Sequence, residues 1–563
     1  MTLSDLQIMV GKAVTETIGG EYDNSLLSVS LAADAKFGDY STNAAMVFAK
    51  QLNRQPRDIA SDLAAAIKRQ DSGIMRTEVA GPGFINIWVS DAAVVSAARE
   101  SVKFQPDRFI GKVIVAEYSD PNPFKVLHAG HLYTTVVGDA ISNLIEYAGG
   151  RVHKVNFGGD VGLHVARTMW AILHEFAGEH PEKLDKVAEY NRSEWMAACY
   201  VAGTQAYEDD EEAKVEIKRL NKEIYRIHEK DDHKSALAQI YWVCRKWSYD
   251  YFEAFYRQIG SSFERYYPES EVAPIGLATV NEQLAKGVFK ISDGATVFEG
   301  EPYGLHTRVF ITSQGLPTYE AKDLGVLMAK WRDYKFDYSI VITANDITEY
   351  MKVVLKSVEQ FLPELAKRSI HLTHGNVKLA GGAKMSSRKG NFLRAVDVLD
   401  MAAEANAMAN GHKDERVVLG AVKYSFLRQR IGADLVFIPE ESVSLEGNSG
   451  PYLQYAHARA RSIMAKSGKA ITGQTIKVDA NERILAFKIA EYADVVQRSV
   501  DELLPHHIAT YLYELAQVFN RFYEISRVIG DPREQERLEL VALYAEVLRM
   551  GLTLLGIEAP ERL

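Results

Sequence analysis

Residues 1 to about 105 alternate two hydrophobic periods. Apolar positions recur at helical spacing around 3–18, 42–52 and 56–69, whereas LLSVSLAA (26–33) and GFINIWVS (83–90) read as short strands. The expected unit is a compact α+β domain, residues 1–105, ending at the polar turn Gln105-Pro106-Asp107. Beyond it KVIVAEYS (112–119) is a continuous apolar strand, 131–148 a helix, RVHKVNF (151–157) a second strand, and Val161 opens a second helix. This β-α-β-α order predicts a Rossmann-like parallel sheet over 106–400, with ligands beyond the C-terminal strand ends. Between about 178 and 270 the pattern turns to charged helices, among them EDDEEAKVEIKRLNKEIYRIHEKDDHK, read as a solvated helical hairpin inserted into the α/β domain. Strand-like segments return at ATVFEG, TRVFITS and YSIVIT, with a helix over about 318–331. From about 400 onward nearly every window has the helical period, which predicts a helical connection over 401–440 and a separate all-α domain over 441–563.

Length and composition narrow the class. A chain of 563 residues is too long for one core and suggests three or four domains. Its 47% hydrophobic and 25% charged residues are ordinary for soluble protein, and no apolar run approaches a membrane span. The N-terminal MTLSDLQIMVGKAVTETIGG carries acids and lacks the basic start of a signal peptide, so a cytoplasmic protein is expected. Cys199 and Cys244 supply neither a disulfide framework nor a four-cysteine zinc site, and no protein-bound metal is expected. A net charge of -10 excludes a basic coat but leaves room for nucleic acid on local basic patches.

Candidate chemistry begins at the first strand-to-helix turn. NPFKVLHAGHLYTTVVGDAISNLIEYAGG (122–150) places His128 and His131 on one face of a first helical turn. Free backbone N–H groups there favour phosphate oxygens, two imidazoles add donors, and Gly130 removes a side chain that would block a flat base. The turn suits a nucleoside triphosphate. Some 250 residues later, LAGGAKMSSRKGNF (379–392) offers glycines, two serines and the cations Lys384, Arg388 and Lys389, a loop able to neutralise a departing pyrophosphate. In this order the pair resembles the His-Ile-Gly-His and Lys-Met-Ser-Lys-Ser signatures of class I aminoacyl-tRNA synthetases.

The resemblance is most specific to the arginyl-tRNA synthetase family. It rests on VAEYSDPNPFKVLHAGH, VNFGGDVG, GLPTYEAKD and EGNSGPYLQYAHARAR, on the segment from Leu504-Pro505-His506-His507, and on the final LGIEAPERL. A guanidinium is a planar, permanently charged fork that needs carboxylates in a fixed arrangement. Glu117 closes the first apolar strand, where a carboxylate is costly unless paired, and Tyr319 and Asp323 are four apart on one helix face. The resemblance implies that Glu117, Tyr319 and Asp323 grip the guanidinium and that Asn122 holds the α-amino end. It implies ATP contacts from His128, Gly130, His131, Lys384, Met385, Ser386, Ser387 and Lys389, with magnesium carried on the triphosphate. The implied partners are tRNA(Arg), ATP and L-arginine, with no membrane or DNA, and a monomer is expected.

Two departures matter. The signature loop has Ser387 where the class pattern has its second lysine; many arginyl enzymes lack that lysine, and Lys125, three residues before His128, fits the vacant role, with Lys389 a second candidate. In TANDITEY (343–350) the family's usual Gly-Ala-Asp stretch is altered, so ribose or arginine contacts are not carried onto Asn345 and Asp346. The N-terminal unit resembles the family's additional tRNA-binding domain, in which Phe84 would stack on an unpaired base and Asn86 would bond its edge. The all-α C-terminal domain resembles the family's anticodon-binding domain. Two alternatives stand beside this reading: a nucleotidyltransferase acting on no tRNA, and an RNA-binding paralogue without catalysis.

Overall fold

The structure is a computed structural model that describes residues 2–18, 27–32, 34–379, 393–411, 413–471, 473 and 476–563. Contacts gather the chain into two compact units, one of Asp107–Pro451 with Leu554–Ile557, the other of Met1–Pro106, Tyr452–Thr553 and Glu558–Leu563.

The first unit is built on a five-stranded parallel sheet. Its order is Ser369–His374, Tyr338–Ala344, Val113–Glu117, Arg151–Gly158, Arg265–Pro268. The chain starts in the middle strand, moves outward through Arg151–Gly158 and Arg265–Pro268, then returns to the other side of Val113–Glu117. That reversal places a crevice between the C-terminal ends of Val113–Glu117 and Tyr338–Ala344, where Glu117 is in register with Val341. Val113–Glu117 is buried along nearly its whole length, which is why it reads as an unbroken apolar run. The helix Ala129–Tyr147 covers one face, and Tyr319–Tyr334 with Thr348–Glu359 join the core on the other. A three-stranded antiparallel sheet, Lys290–Ser292, Ala295–Phe298 and Arg308–Ile311, precedes Tyr319–Tyr334.

Two expectations change here. The segment read as a solvated hairpin forms three helices, Arg192–Asp209, Glu211–Glu229 and Ala236–Ile259, which pack with Leu163–Phe176 around their own core. Ile217, Leu220, Ile224 and Ile227 are the reason: at spacings of three and four they make a buried stripe through the most charged stretch of the chain. The expected helical connection over 401–440 also contains a short strand, Leu435–Phe437, paired in parallel with Val377–Leu379.

In the other unit a four-stranded antiparallel sheet, ordered Val29–Leu31, Tyr40–Thr42, Phe84–Val89, Ile74–Ala80, is packed by Leu3–Ile18, Ala44–Leu52 and Pro56–Gln70. The C-terminal helices Ala480–Ala490, Tyr492–Glu502 and His506–Ile525 form the expected all-α domain. This domain is not isolated from the N-terminal one. Arg483 donates to Asp39, Asp91 and the Val89 carbonyl, and Ser101 Oγ donates to the Ile489 carbonyl at 3.0 Å. Among the described residues no helix is long and apolar enough to cross a membrane.

Candidate active site

A cavity of about 720 Å³ opens at the C-terminal ends of the parallel strands. It gathers Glu117, Asn122, His128, Gly130, His131, Tyr319 and Asp323, residues up to 206 positions apart in sequence.

His128 is the N-cap of the helix Ala129–Tyr147, and His131 is its third residue. The His128 Nδ1 accepts from the Gly130 and His131 N–H groups at 3.1 and 3.4 Å, while the His131 Nδ1 accepts from the His128 N–H at 3.1 Å. The Ala129 N–H donates to the Leu393 carbonyl at 2.8 Å. The backbone donors expected to meet phosphate are therefore already occupied. Because both Nδ1 atoms accept, each neutral ring carries its proton on Nε2, and that is the donor left for a ligand. Burial, reinforced by the Lys125 ammonium, lowers His128 to about 4; burial, then the His128 and Lys125 charges, hold His131 well below the usual histidine range. Gly130 has a nearer reason than room for a base: a Cβ there would lie 2.9 Å from the His128 ring.

The other wall is acidic. Glu117 is buried, with Oε2 2.6 Å from the Lys330 Nζ. Asp120, with φ of 49°, accepts at Oδ1 from the Phe157 N–H at 2.8 Å. Asp323 accepts from the Tyr350 hydroxyl. Burial, and next the Glu117 charge, push Asp120 and Asp323 well above the usual carboxylate range. Three carboxylates face one buried ammonium, an arrangement that favours a cationic ligand. Tyr319, 63% exposed, lies at the same wall, and the Asn122 Oδ1 accepts from the Gly159 N–H at 2.8 Å.

Lys125 lies in an adjoining recess that shares Asn122, His128 and His131 with the main cavity. Its Nζ is 4.6 Å from the centre of the Tyr200 ring. Lys384, Met385, Ser386, Ser387 and Lys389 lie outside the described residues. Leu393, just beyond them, meets Ala129, and His128 forms a β-bridge with Arg394. Asp346 lines the cavity. Phe84 and Asn86 are in the other unit, on one face of Phe84–Val89. Phe84 is 42% exposed and offers a ring face, but Asn86 is only 5% exposed and its Oδ1 accepts from Ser41 at 3.2 Å.

Sequence reasoning missed Asp120, Lys330 and Tyr350. Asp120 follows Glu117 in the same strand-end loop and could have been found there. Lys330 is a charged residue seven positions after Asp323 on the buried helix face, a signal that went unread. Tyr350 had no local mark.

Residues 93–440 match the family described as tRNA synthetases class I (R), catalytic domain. Residues 4–89 match the arginyl tRNA synthetase N terminal domain, and 453–563 the DALR anticodon binding domain. The arginine–tRNA ligase of Pseudoalteromonas atlantica is 31% identical, covering 97% of both chains. That of Porphyromonas gingivalis is 28% identical over 94% of both. The solved arginyl-tRNA synthetase of Thermus thermophilus superposes with a TM-score of 0.81 at 25% identity, over the whole of both chains. With a buried acidic wall facing a paired-histidine turn, and with all three regions matched, the chain belongs to the class I arginyl-tRNA synthetase family.

Proposed function

We infer that the acidic wall receives the arginine side chain and the histidine turn receives ATP, in the arginine–tRNA ligase reaction: ATP + L-arginine + tRNA(Arg) → arginyl-tRNA(Arg) + AMP + pyrophosphate. A carboxylate oxygen of arginine attacks the α-phosphorus in line and pyrophosphate leaves, giving arginyl-adenylate. A hydroxyl of the terminal ribose of tRNA then attacks the adenylate carbonyl, and AMP leaves. Neither step needs a covalent enzyme intermediate, so the protein acts by positioning and by stabilising charge.

Glu117, Tyr319 and Asp323 take the guanidinium, and the second lone pair of the Asn122 Oδ1 takes the α-ammonium. His128 and His131 donate from Nε2 to phosphate oxygens, and Lys125 meets the charge that builds on the α-phosphate. Lys384 and Lys389, with Met385, Ser386 and Ser387, act on the pyrophosphate from their loop. Magnesium arrives on the triphosphate as part of the substrate. Phe84 stacks on a base of the tRNA elbow, and the enzyme works in the cytoplasm as a monomer.

The observation that carries this reading is the excess of carboxylate at the cavity wall: buried Glu117 with half-buried Asp120 and Asp323, against Lys330. Arginine-dependent pyrophosphate exchange, run with and without tRNA, tests it. Exchange with arginine and not with citrulline, which lacks the charge, is expected. Equal exchange with both, or no charging of tRNA, overturns it. The tRNA arm also separates a transferase that ignores tRNA and a paralogue that binds it without catalysis.

A further inference from the structure

The Glu117–Lys330 pair has no exposure to speak of, with side chains 2% and 1% accessible. Lys330 rises from the same face of Tyr319–Tyr334 as Tyr319 and Asp323, at spacings of eleven and seven. Glu117 and Asp323 line the main cavity; Lys330 does not. It lines a smaller cavity behind them, together with both carboxylates and His371. The ammonium therefore stands at the back of the acidic wall. A buried ion pair is rarely kept for stability alone, since well-packed apolar residues usually serve as well.

We infer that Lys330 is a positioning residue for arginine recognition, holding Glu117 by Oε2 so that Oε1 is the oxygen presented to the guanidinium. This rests on the reading above that Glu117 meets that group. The pair also fixes the charge of the pocket. Other charges nearby are already engaged: Glu269 with Lys322 at 2.6 Å, and Glu320 with Arg308 at 3.5 Å. The Tyr350 hydroxyl donates to Asp323, and the His371 Nε2 is bonded to the Thr343 hydroxyl at 2.7 Å. Without Lys330 the three carboxylates lose the ammonium paired with Glu117, and the empty pocket takes up a further proton that arginine must expel.

The test compares Lys330→Met, Lys330→Arg, Glu117→Gln and the double variant Glu117→Gln/Lys330→Met in full-length enzyme, by pyrophosphate exchange over about pH 6 to about pH 8.5. Lys330→Met should raise the arginine KM about tenfold or more, with kcat and the ATP KM little changed. Its arginine KM should fall more steeply with rising pH than that of the parent. Lys330→Arg, which keeps the charge, should restore the parent pH profile. Because Lys330 acts through Glu117, adding Lys330→Met to Glu117→Gln should change the arginine KM by less than about twofold. The double variant removes both charges of the buried pair together, so this comparison and Lys330→Arg carry the test even if Lys330→Met does not fold. A parent-like arginine KM in Lys330→Met, a large further rise in the double variant, or an altered pH profile in Lys330→Arg overturns the inference. A Glu117→Gln enzyme with unchanged arginine KM overturns instead the guanidinium reading beneath it.

Discussion

His128 and His131 cap each other: their rings stack with centres 3.7 Å apart, and each accepts at Nδ1 from backbone N–H groups of the other's turn. Stacked rings at that distance are stable together only while neither is charged, which agrees with the lowering that burial imposes on both. The helix end is thus closed by side chains, and its anion-binding capacity passes to two neutral Nε2–H donors. Such donors cost no proton transfer and can strengthen as phosphate charge develops.

The two duties of His128 can be separated. His128→Ala loses the cap, about 1 kcal/mol of stability, and the donor, about 10² or more in adenylation rate. His128→Asn restores a good cap but offers no donor at the Nε2 position. Its unfolding midpoint should return toward the parent value while single-turnover adenylation stays depressed, with arginine KM little changed. Recovery of the rate in His128→Asn would mean that the imidazole matters only as a cap.

Arginine binding should release protons. Asp120 and Asp323 are held above the usual carboxylate range first by burial and then by the Glu117 charge, so the empty pocket favours their protonated forms. A guanidinium favours the ionised forms. Affinity should therefore be greatest above the raised values and weaken on acidification, by up to about tenfold per pH unit for each proton released. Calorimetric titration of arginine in buffers of different ionisation enthalpy reads the proton count directly. A buffer-independent heat near neutral pH would show both carboxylates already ionised.

Asp323→Asn should trade recognition for stability. A neutral amide cannot balance the guanidinium charge, and the expected loss in arginine binding is about 2–5 kcal/mol. Its Oδ1 can still accept from the Tyr350 hydroxyl. An acid whose folded-state pKa is raised stabilises the fold when protonated and loses that contribution as pH rises. The variant should then unfold at a higher temperature than the arginine-free parent, with a gap that widens toward alkaline pH and closes under acid conditions. Thermal midpoints across the pH range check this, and a uniformly lower midpoint would show that the Asp323 charge is accommodated at no cost.

What was legible in the chain was local. His128 with His131, and Tyr319 with Asp323, sit within one helical turn or so of each other, and helical periodicity alone puts each pair on one face. The Glu117–Lys330 pair spans 213 positions and exists only because the sheet order brings Tyr319–Tyr334 against the end of Val113–Glu117. No spacing rule reaches that far. Capping by imidazole was hidden for another reason: histidine is not among the residues whose presence marks an N-cap. Ile74–Ala80 escaped notice because Met75, Arg76 and Glu78 leave an edge strand with few buried positions. The Ser41–Asn86 contact was hidden in the same way as the Glu117–Lys330 pair, because the two residues meet only across paired strands 45 positions apart.

Lys125 is in the recess shared with both histidines, its ammonium over the Tyr200 ring. A cation–π contact is worth about 0.5–1 kcal/mol at exposed sites and about 2 kcal/mol or more when desolvated, and a charged phosphate oxygen can replace it. If Lys125 supplies the charge that the class pattern places at the position of Ser387, Lys125→Ala should cut single-turnover adenylation about 10²-fold at saturating ATP, arginine and tRNA. Lys389→Ala should be milder. The double variant Lys125→Ala/Ser387→Lys should regain part of the rate, because a loop lysine brings the same charge to the α-phosphate from the other side. The competing possibility is that Lys125 contacts a tRNA phosphate. Its loss would then weaken tRNA binding in a salt-dependent way and leave the saturated adenylation rate intact, and that unchanged rate would sink the compensation.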